Sequence, residues 1–110
     1  MNANQNLPPE LFDFYSDPAC GWIHVPWTTF AQYYIDPSMF SNLSHADAFG
    51  AYLEEDYDLP RFIEIFEPAA AKRVVFNDVR DIQSSGVREK AKLHNYPYIG
   101  VINDIAKGAH

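Results

Sequence analysis

Short stretches of hydrophobic residues, some alternating with polar residues and some spaced for a helix, follow one another along the 110-residue chain. Residues 21–25, 49–54, 73–79 and 98–102 are rich in β-branched and aromatic side chains, and they predict four strands. The apolar positions Trp27, Phe30, Ala31 and Tyr34 recur at helical spacing. They predict an amphipathic helix that begins at Pro26 and stops before Pro37.

Capping and proline signals predict three further helices. Residues 10–15 follow two prolines, residues 59–67 follow Asp58 as an N-cap and stop at Pro68, and residues 87–93 follow Ser84 or Ser85 as a cap. Residues 38–50 have no sustained period, which predicts a loop with at most one helical turn.

These elements alternate, but they are short and their links are irregular, which argues against a dinucleotide-binding parallel sheet. We predict an α+β fold with a three- to four-stranded antiparallel or mixed sheet and two or three short helices packed on one face. The length suits a single domain over residues 1–110, with 1–18 and 104–110 as loosely ordered ends.

Composition narrows the setting of the protein. Hydrophobic residues make up 47% of the chain, enough apolar surface to offset the entropy lost on folding. No apolar run approaches the roughly 18 residues that span a bilayer, and the first residues lack the features of a secretory signal. Cys20 is the single cysteine, so no internal disulfide or cysteine-rich zinc module forms. We therefore expect a cytoplasmic protein that uses neither membrane nor cofactor.

The net charge of −7 is unevenly distributed along the chain. Residues 1–60 contain nine acidic residues and no lysine or arginine, whereas the remainder carries eight basic and six acidic residues. Direct nucleic-acid binding is disfavoured, because phosphate recognition depends on clustered lysine and arginine. The expected partner is a basic protein surface.

Two segments of the chain are similar to sequence patterns found in other proteins. Residues 21–26 read GWIHVP and residues 52–62 read YLEEDYDLPRF. They resemble the GW-x-x-VP and YLEED-x-D-x-x-x-F segments of small uncharacterised bacterial, phage and plasmid proteins, over about residues 21–66 and more faintly at 84–88. The resemblance implies a mobile-element origin and no particular activity. Such proteins often have a cysteine before the last aspartate of the acidic segment, where this chain has Tyr57.

The acidic run Glu54-Glu55-Asp56-Tyr57-Asp58 is the sharpest local feature. Successive carboxylates can bind Mg²⁺ or Ca²⁺, or one of them can act as a general acid. The competing interpretation, which we favour, is that Asp58 caps a helix while the others are solvated, since the run lacks the glycine and ligand spacing of a calcium loop.

Three other groupings invite a chemical interpretation, and the ordinary structural one is favoured for each. Cys20 and His24 suggest a nucleophile and base, but no third partner is identifiable. His24, His45 and His94 lack paired zinc-ligand spacing. The Ser84-Ser85-Gly86 stretch before Arg88 suggests an anion site, but an ordinary helix cap explains it better.

The favoured hypothesis is a non-enzymatic, anti-CRISPR-like protein-interaction module. It would be a phage or mobile-element inhibitor whose acidic face docks on a basic, nucleic-acid-binding host protein such as a defence complex. Acidic residues and tyrosines of the lysine-free half form its expected binding set: Glu54, Glu55, Asp56, Tyr57, Asp36, Asp47 and Tyr33. Two alternatives stay open: a metal-assisted hydrolase using Glu54, Glu55 and Asp56, and a self-associating structural or regulatory protein, for example a homodimer.

Overall fold

The computed structural model describes residues 6–79 and 86–106. It has an α+β fold, as predicted, but the sheet contains more strands than expected. Within the described residues, six strands form one mixed sheet: β1 (Pro9–Ser16), β2 (Gly21–Pro26), β3 (His45–Asp47), β4 (Gly50–Glu54), β5 (Arg73–Asp78) and β6 (Ala91–Lys92). Their order across the sheet is β5-β1-β2-β4-β3-β6. The β1–β5 pair is parallel and the other pairs are antiparallel.

Three helices, α1 (Trp27–Gln32), α2 (Asp58–Ala70) and α3 (Ile99–Ala106), contribute to the main core. Alternation along β2 and β4 points Ile23, Val25 and Leu53 toward that core, where they meet Phe62 and Phe66 of α2. A smaller cluster of Trp22, Tyr52 and Val87 covers the opposite face of the sheet. Both faces of the central strands are therefore buried, and all five residues of β4 are buried.

The predicted strands at residues 21–25, 49–54 and 73–79 are confirmed as β2, β4 and β5. The helix predicted for residues 10–15 is wrong, because this stretch is β1, which pairs with β2 on one side and β5 on the other. Its side chains alternate, with Leu11 exposed and Phe12 buried between Phe62 and Phe66. The two prolines that suggested a helix start instead precede a strand.

The C-terminal predictions are also corrected. The strand predicted for residues 98–102 lies in and just before α3, where Ile99 and Ile102 are spaced for one helix face. The helix predicted for residues 87–93 is a short 3-10 turn (Val87–Glu89) followed by β6, and its proposed caps, Ser84 and Ser85, lie outside the described residues. Local capping signals could not reveal that β6 pairs with β3.

The middle of the chain differs in detail. The α1 helix ends at Gln32, before the exposed Tyr34, which adopts a left-handed backbone conformation with φ 55°. The predicted loop over residues 38–50 contains part of a 3-10 turn (Pro37–Met39) and the missed strand β3. The α2 helix continues past Pro68 to Ala70, two residues beyond the predicted stop.

Candidate functional site

The turn that joins β4 to α2 holds the acidic run. The Glu54 side chain is 8% exposed, and its carboxylate accepts hydrogen bonds of 3.0 Å from the backbone N–H groups of Asp56 and Tyr57. The backbone N–H of Glu55 donates to the carbonyl of Gly21 at 3.0 Å, which fastens the turn to β2. Glu54 therefore shapes the turn and does not face solvent.

Asp58 is not the helix cap that the sequence predicts. Its side chain is 3% exposed and accepts hydrogen bonds from the backbone N–H and the hydroxyl of Ser41 at 3.0 and 2.8 Å. It also accepts a short hydrogen bond from the hydroxyl of Ser44. Tyr57 occupies the N-cap position without a side-chain capping bond. The carboxylate of Asp58 thus fastens the loop before β3 to the first turn of α2.

Glu55, Asp56 and Tyr57 form the exposed part of the turn, and we call these three residues the acidic turn. The Tyr57 ring is 68% exposed at the rim of a groove of about 440 Å³. Met39 and Leu43 line the same groove and are each nearly half exposed. We call this depression the groove, and the described residues that line it are Met39, Phe40, Ser41, Leu43, Tyr57, Asp58 and Arg61. An exposed tyrosine therefore borders both the carboxylates of the turn and a groove with a mixed polar and apolar lining.

Two other residues of the predicted binding set have structural contacts. Tyr33 is half-buried and packs edge-on against Phe66, with ring centroids 5.3 Å apart. Asp36 caps the short 3-10 turn by accepting a 2.9 Å hydrogen bond from the N–H of Ser38. The carbonyl of Asp36 accepts a hydrogen bond from the N–H of Met39, which lines the groove, whereas the Tyr33 ring packs against the core.

Asp47 lies at the other end of β4 from the acidic turn, because it pairs with Gly50 while the turn follows Glu54. A five-residue strand separates the two places by roughly 13 Å. The Asp47 carboxylate accepts hydrogen bonds from the Tyr52 hydroxyl and the Phe49 N–H, both at 2.9 Å, and forms a 2.9 Å ion pair with Lys90. Burial favours the neutral acid, but these donors outweigh it and lower the pKa of Asp47 below its ordinary value.

Lys90 belongs to residues 86–92, which we call the basic strap. This segment packs on the second face of the sheet at Val87 and ends in β6. Val87 is fully buried against Trp22 and Tyr52, while the Arg88 guanidinium lies 5.3 Å from the centre of the Trp22 ring. Lys90 lies 5.2 Å from the centre of the Tyr52 ring. The strap thus combines one buried apolar residue with two cations placed over aromatic rings.

Arg88 also forms an ion pair with Asp17. This hydrogen bond, together with those from the N–H groups of Ala19 and Cys20, lowers the pKa of Asp17 to about 2. Another pair joins Lys72 to Glu10 at 3.0 Å. Bases from the second half of the chain therefore compensate acids of the lysine-free half, a pairing that the linear sequence does not show.

Two histidines lie on the strap side of the sheet. His24 and His45 flank Tyr52 on the strands either side of β4, so two strand spacings, roughly 10 Å, separate them. Burial lowers the pKa of each histidine.

The remaining candidate residues do not join these two histidines. The Nε2 atom of His94 lies 2.6 Å from the carbonyl oxygen of Phe40. Cys20 packs beside the Trp22 cluster. The described residues contain no group of three or more His, Cys, Asp or Glu side chains arranged to hold a metal ion.

Sequence reasoning missed Met39 and Leu43 as exposed apolar neighbours of Tyr57, and it missed Arg88 and Lys90 as partners of Asp17 and Asp47. Met39 and Leu43 lie in a stretch without periodicity, so the sequence contained no signal for their exposure. The alternation of basic residues at 88, 90 and 92 was visible. It marks this segment as basic, although only Lys92 lies in a strand and Arg88 lies in the 3-10 turn.

None of the helices in the described part of the chain has the length and apolar character needed to cross a membrane. Comparisons of the chain with protein-family models, with curated proteins and with solved structures found no match.

Proposed function

We propose that this protein is a non-enzymatic interaction module that docks on a basic protein through the acidic turn and the groove beside it. The observation that supports the proposal is the exposure of the Tyr57 ring between two exposed carboxylates and two half-exposed apolar side chains. Tyrosine within a partly apolar patch is typical of residues that dominate binding energy at protein interfaces.

Charge favours a basic partner. Glu10, Asp17 and Asp47 have basic partners within the chain, whereas Glu55 and Asp56 stand exposed beside Tyr57. Among the described residues that line the groove, Arg61 is the one base. With a net charge of −7 the whole chain attracts a cationic surface, and this attraction is screened beyond about 8–10 Å at physiological salt.

The partner that fits best is a protein with a nucleic-acid-binding groove, because such a groove is lined with lysine and arginine that carboxylates can engage in place of phosphates. A phage or plasmid inhibitor of a host defence complex belongs to this proposal, to which the sequence resemblance contributes only the mobile-element origin. Metal-assisted hydrolysis is less favoured, since the Glu54 carboxylate is engaged by the backbone of its own turn.

Matched variants test the proposal. The triple variant Glu55→Gln/Asp56→Asn/Tyr57→Ala removes the acidic turn, and Glu89→Gln/Asp104→Asn/Tyr98→Ala makes the same chemical changes at other exposed positions. Tyr98 is 65% exposed, close to the 68% of Tyr57. The immobilised proteins are offered the heparin-binding fraction of a bacterial lysate at about 50 mM and about 500 mM NaCl. Recovered proteins are then tested for displacement by duplex DNA.

We expect the wild type and the control triple to retain a DNA-displaceable protein at low salt, and the acidic-turn triple to bind it at least roughly tenfold more weakly. High salt should release it. Equal binding by the two triples, or bound protein that DNA does not displace, would contradict the proposal.

A further inference from the structure

The outer edge of β5 has features that suit pairing with another strand. β5 is the last strand on its side of the sheet, and no other described strand pairs with its outer edge. The N–H groups of Arg73 and Val79 donate to the carbonyls of Pro8, just before β1, and of Phe14 within it. Because backbone groups of successive strand residues point to opposite edges, those of Val74, Phe76 and Asp78 face away from β1.

One of these outward groups is already engaged within the chain. The Val74 N–H donates to the Glu67 carboxylate at 2.9 Å. Phe76, the next outward residue, is 46% exposed, and its ring lies 5.6 Å from that of Phe14. β5 contains no proline, and exposed edge strands without such protection are templates for pairing with a further chain.

We propose that β5 pairs antiparallel with β5 of a second copy of this chain, about a two-fold axis at Val75. Outward-facing residues must oppose one another in such a ladder, and this register satisfies that condition by placing Val74 opposite Phe76 of the second copy. The register also places Lys72 opposite Asp78 and Arg73 opposite Asn77, twice by symmetry. Each exposed Phe76 then gains an apolar neighbour, and Lys72 and Asp78 each gain an opposite charge.

A second copy is favoured over an unrelated peptide because bases lie at the start of the strand and an acid at its end, so the strand is complementary to itself when reversed. The position of β5 also limits repulsion between two chains of charge −7. β1 and β2 separate β5 from β4, so the acidic turn that follows β4 lies away from the shared edge. Such a dimer would present two acidic turns to one partner assembly.

The dimer is expected to be weak. A single strand pair buries less than the roughly 1,200 Å² of stable complexes, and in each copy the Glu67 carboxylate competes for the N–H of Val74. Association should therefore depend on concentration, with monomer at low micromolar protein and dimer at higher concentration.

Charge reversal tests the register by sedimentation velocity across a concentration series. Asp78→Lys places two lysine pairs across the axis, and Lys72→Glu places two acidic pairs there. The dimer dissociation constant of each variant alone should therefore be about tenfold higher than that of the wild type. An equal mixture of the two restores opposite charges at both contacts and should form the mixed dimer. The Lys72–Glu10 pair that the second variant loses is more than a third exposed on both sides, so the fold should survive, as circular dichroism can verify.

A crosslink provides an independent readout. In a Cys20→Ser background, Val75→Cys places two thiols opposite each other on the axis within disulfide reach, whereas Asn77→Cys places its thiol opposite Arg73. We expect a disulfide-linked dimer from the first variant only. A wild type that remains monomeric at millimolar concentration, a mixture that gives no rescue, or equal crosslinking at both positions would each overturn the proposal.

Discussion

The carboxylates at the two ends of β4 have different surroundings. At the start of β4, the carboxylate of Asp47 accepts two hydrogen bonds and pairs with Lys90 of the basic strap. After the last residue of β4, Glu55 and Asp56 stand exposed beside Tyr57. Both ends derive from the lysine-free half of the sequence, yet one has been neutralised by a distant segment and the other has not. Local sequence charge therefore identifies a binding surface only after intramolecular pairing has been taken into account.

The largest difference is expected between removing a buried and removing an exposed carboxylate of the same turn, measured as the change in the free energy of unfolding. Asp58→Ala leaves the N–H of Ser41 and the hydroxyl of Ser44 without their acceptor, so we expect the free energy of unfolding to fall by about 3 kcal/mol. The control Asp56→Ala should change it by less than about 0.5 kcal/mol. Urea denaturation of both variants measures the difference, and similar midpoints would show that Asp58 does not hold the loop to α2.

The apolar anchor of the basic strap should be the next most sensitive position. Val87→Ala leaves a cavity against Trp22 and Tyr52, and we expect it to cost about 2 kcal/mol in urea denaturation. Val101→Ala, at an exposed valine of α3, should be nearly neutral. If both variants were equally stable, the strap would not be anchored through Val87.

Acidification should weaken the strap side through its histidines. His24 and His45 have pKa values lowered by burial, so the unfolded chain binds protons before the folded chain as the pH falls. Their contribution is complete above the unfolded pKa of about 6.5 and is lost as the pH falls from there toward the folded values. The urea midpoint of the wild type should be lower at about pH 5.5 than at about pH 7.5. The same difference should be smaller for the double variant His24→Gln/His45→Gln. If the double variant lost as much stability between these two pH values as the wild type, the pH dependence would belong to other groups.

Asp17 should make the stability of the fold depend on pH in a second, more acidic range. Its pKa of about 2 lies below the unfolded value, so its contribution is present above about pH 4 and is lost as the pH falls toward 2. NMR titration of the Asp17 carboxyl should show its pKa rising toward the ordinary value in Arg88→Met, because Arg88 is the largest cause of the shift. An unchanged Asp17 titration in this variant would contradict the pairing.

The smallest effect is expected from the exposed side of the strap. Lys90→Met removes an ion pair whose partners are each about a quarter exposed, and such pairs contribute about 0.5 kcal/mol. The variant should raise the pKa of Asp47, which carboxyl NMR can follow. It should also make the Asp47 end more like the acidic turn and increase low-salt binding of basic proteins there. No change in either readout would mean that Lys90 does not neutralise this end of β4.

The sequence by itself determined the α+β class, three of the strands and the start of α2, because β-branched alternation and proline positions act locally. It also identified Glu55, Asp56 and Tyr57 as a charged, aromatic turn. It misassigned β1 and α3, since a short apolar stretch is compatible with either a helix or a strand until its neighbours are known. Phe12 of β1 is buried by Phe62 and Phe66, which lie about 50 residues away.

Only the tertiary structure decided which acids remain available to a partner. Glu54 and Asp58 are adjacent to the exposed carboxylates in sequence, but they fold inward because backbone N–H groups and serine hydroxyls need acceptors there. Arg88 and Lys90 reach Asp17 and Asp47 across more than 40 residues. Electrostatic pairing depends on distance in space, which the order of residues along a chain does not specify.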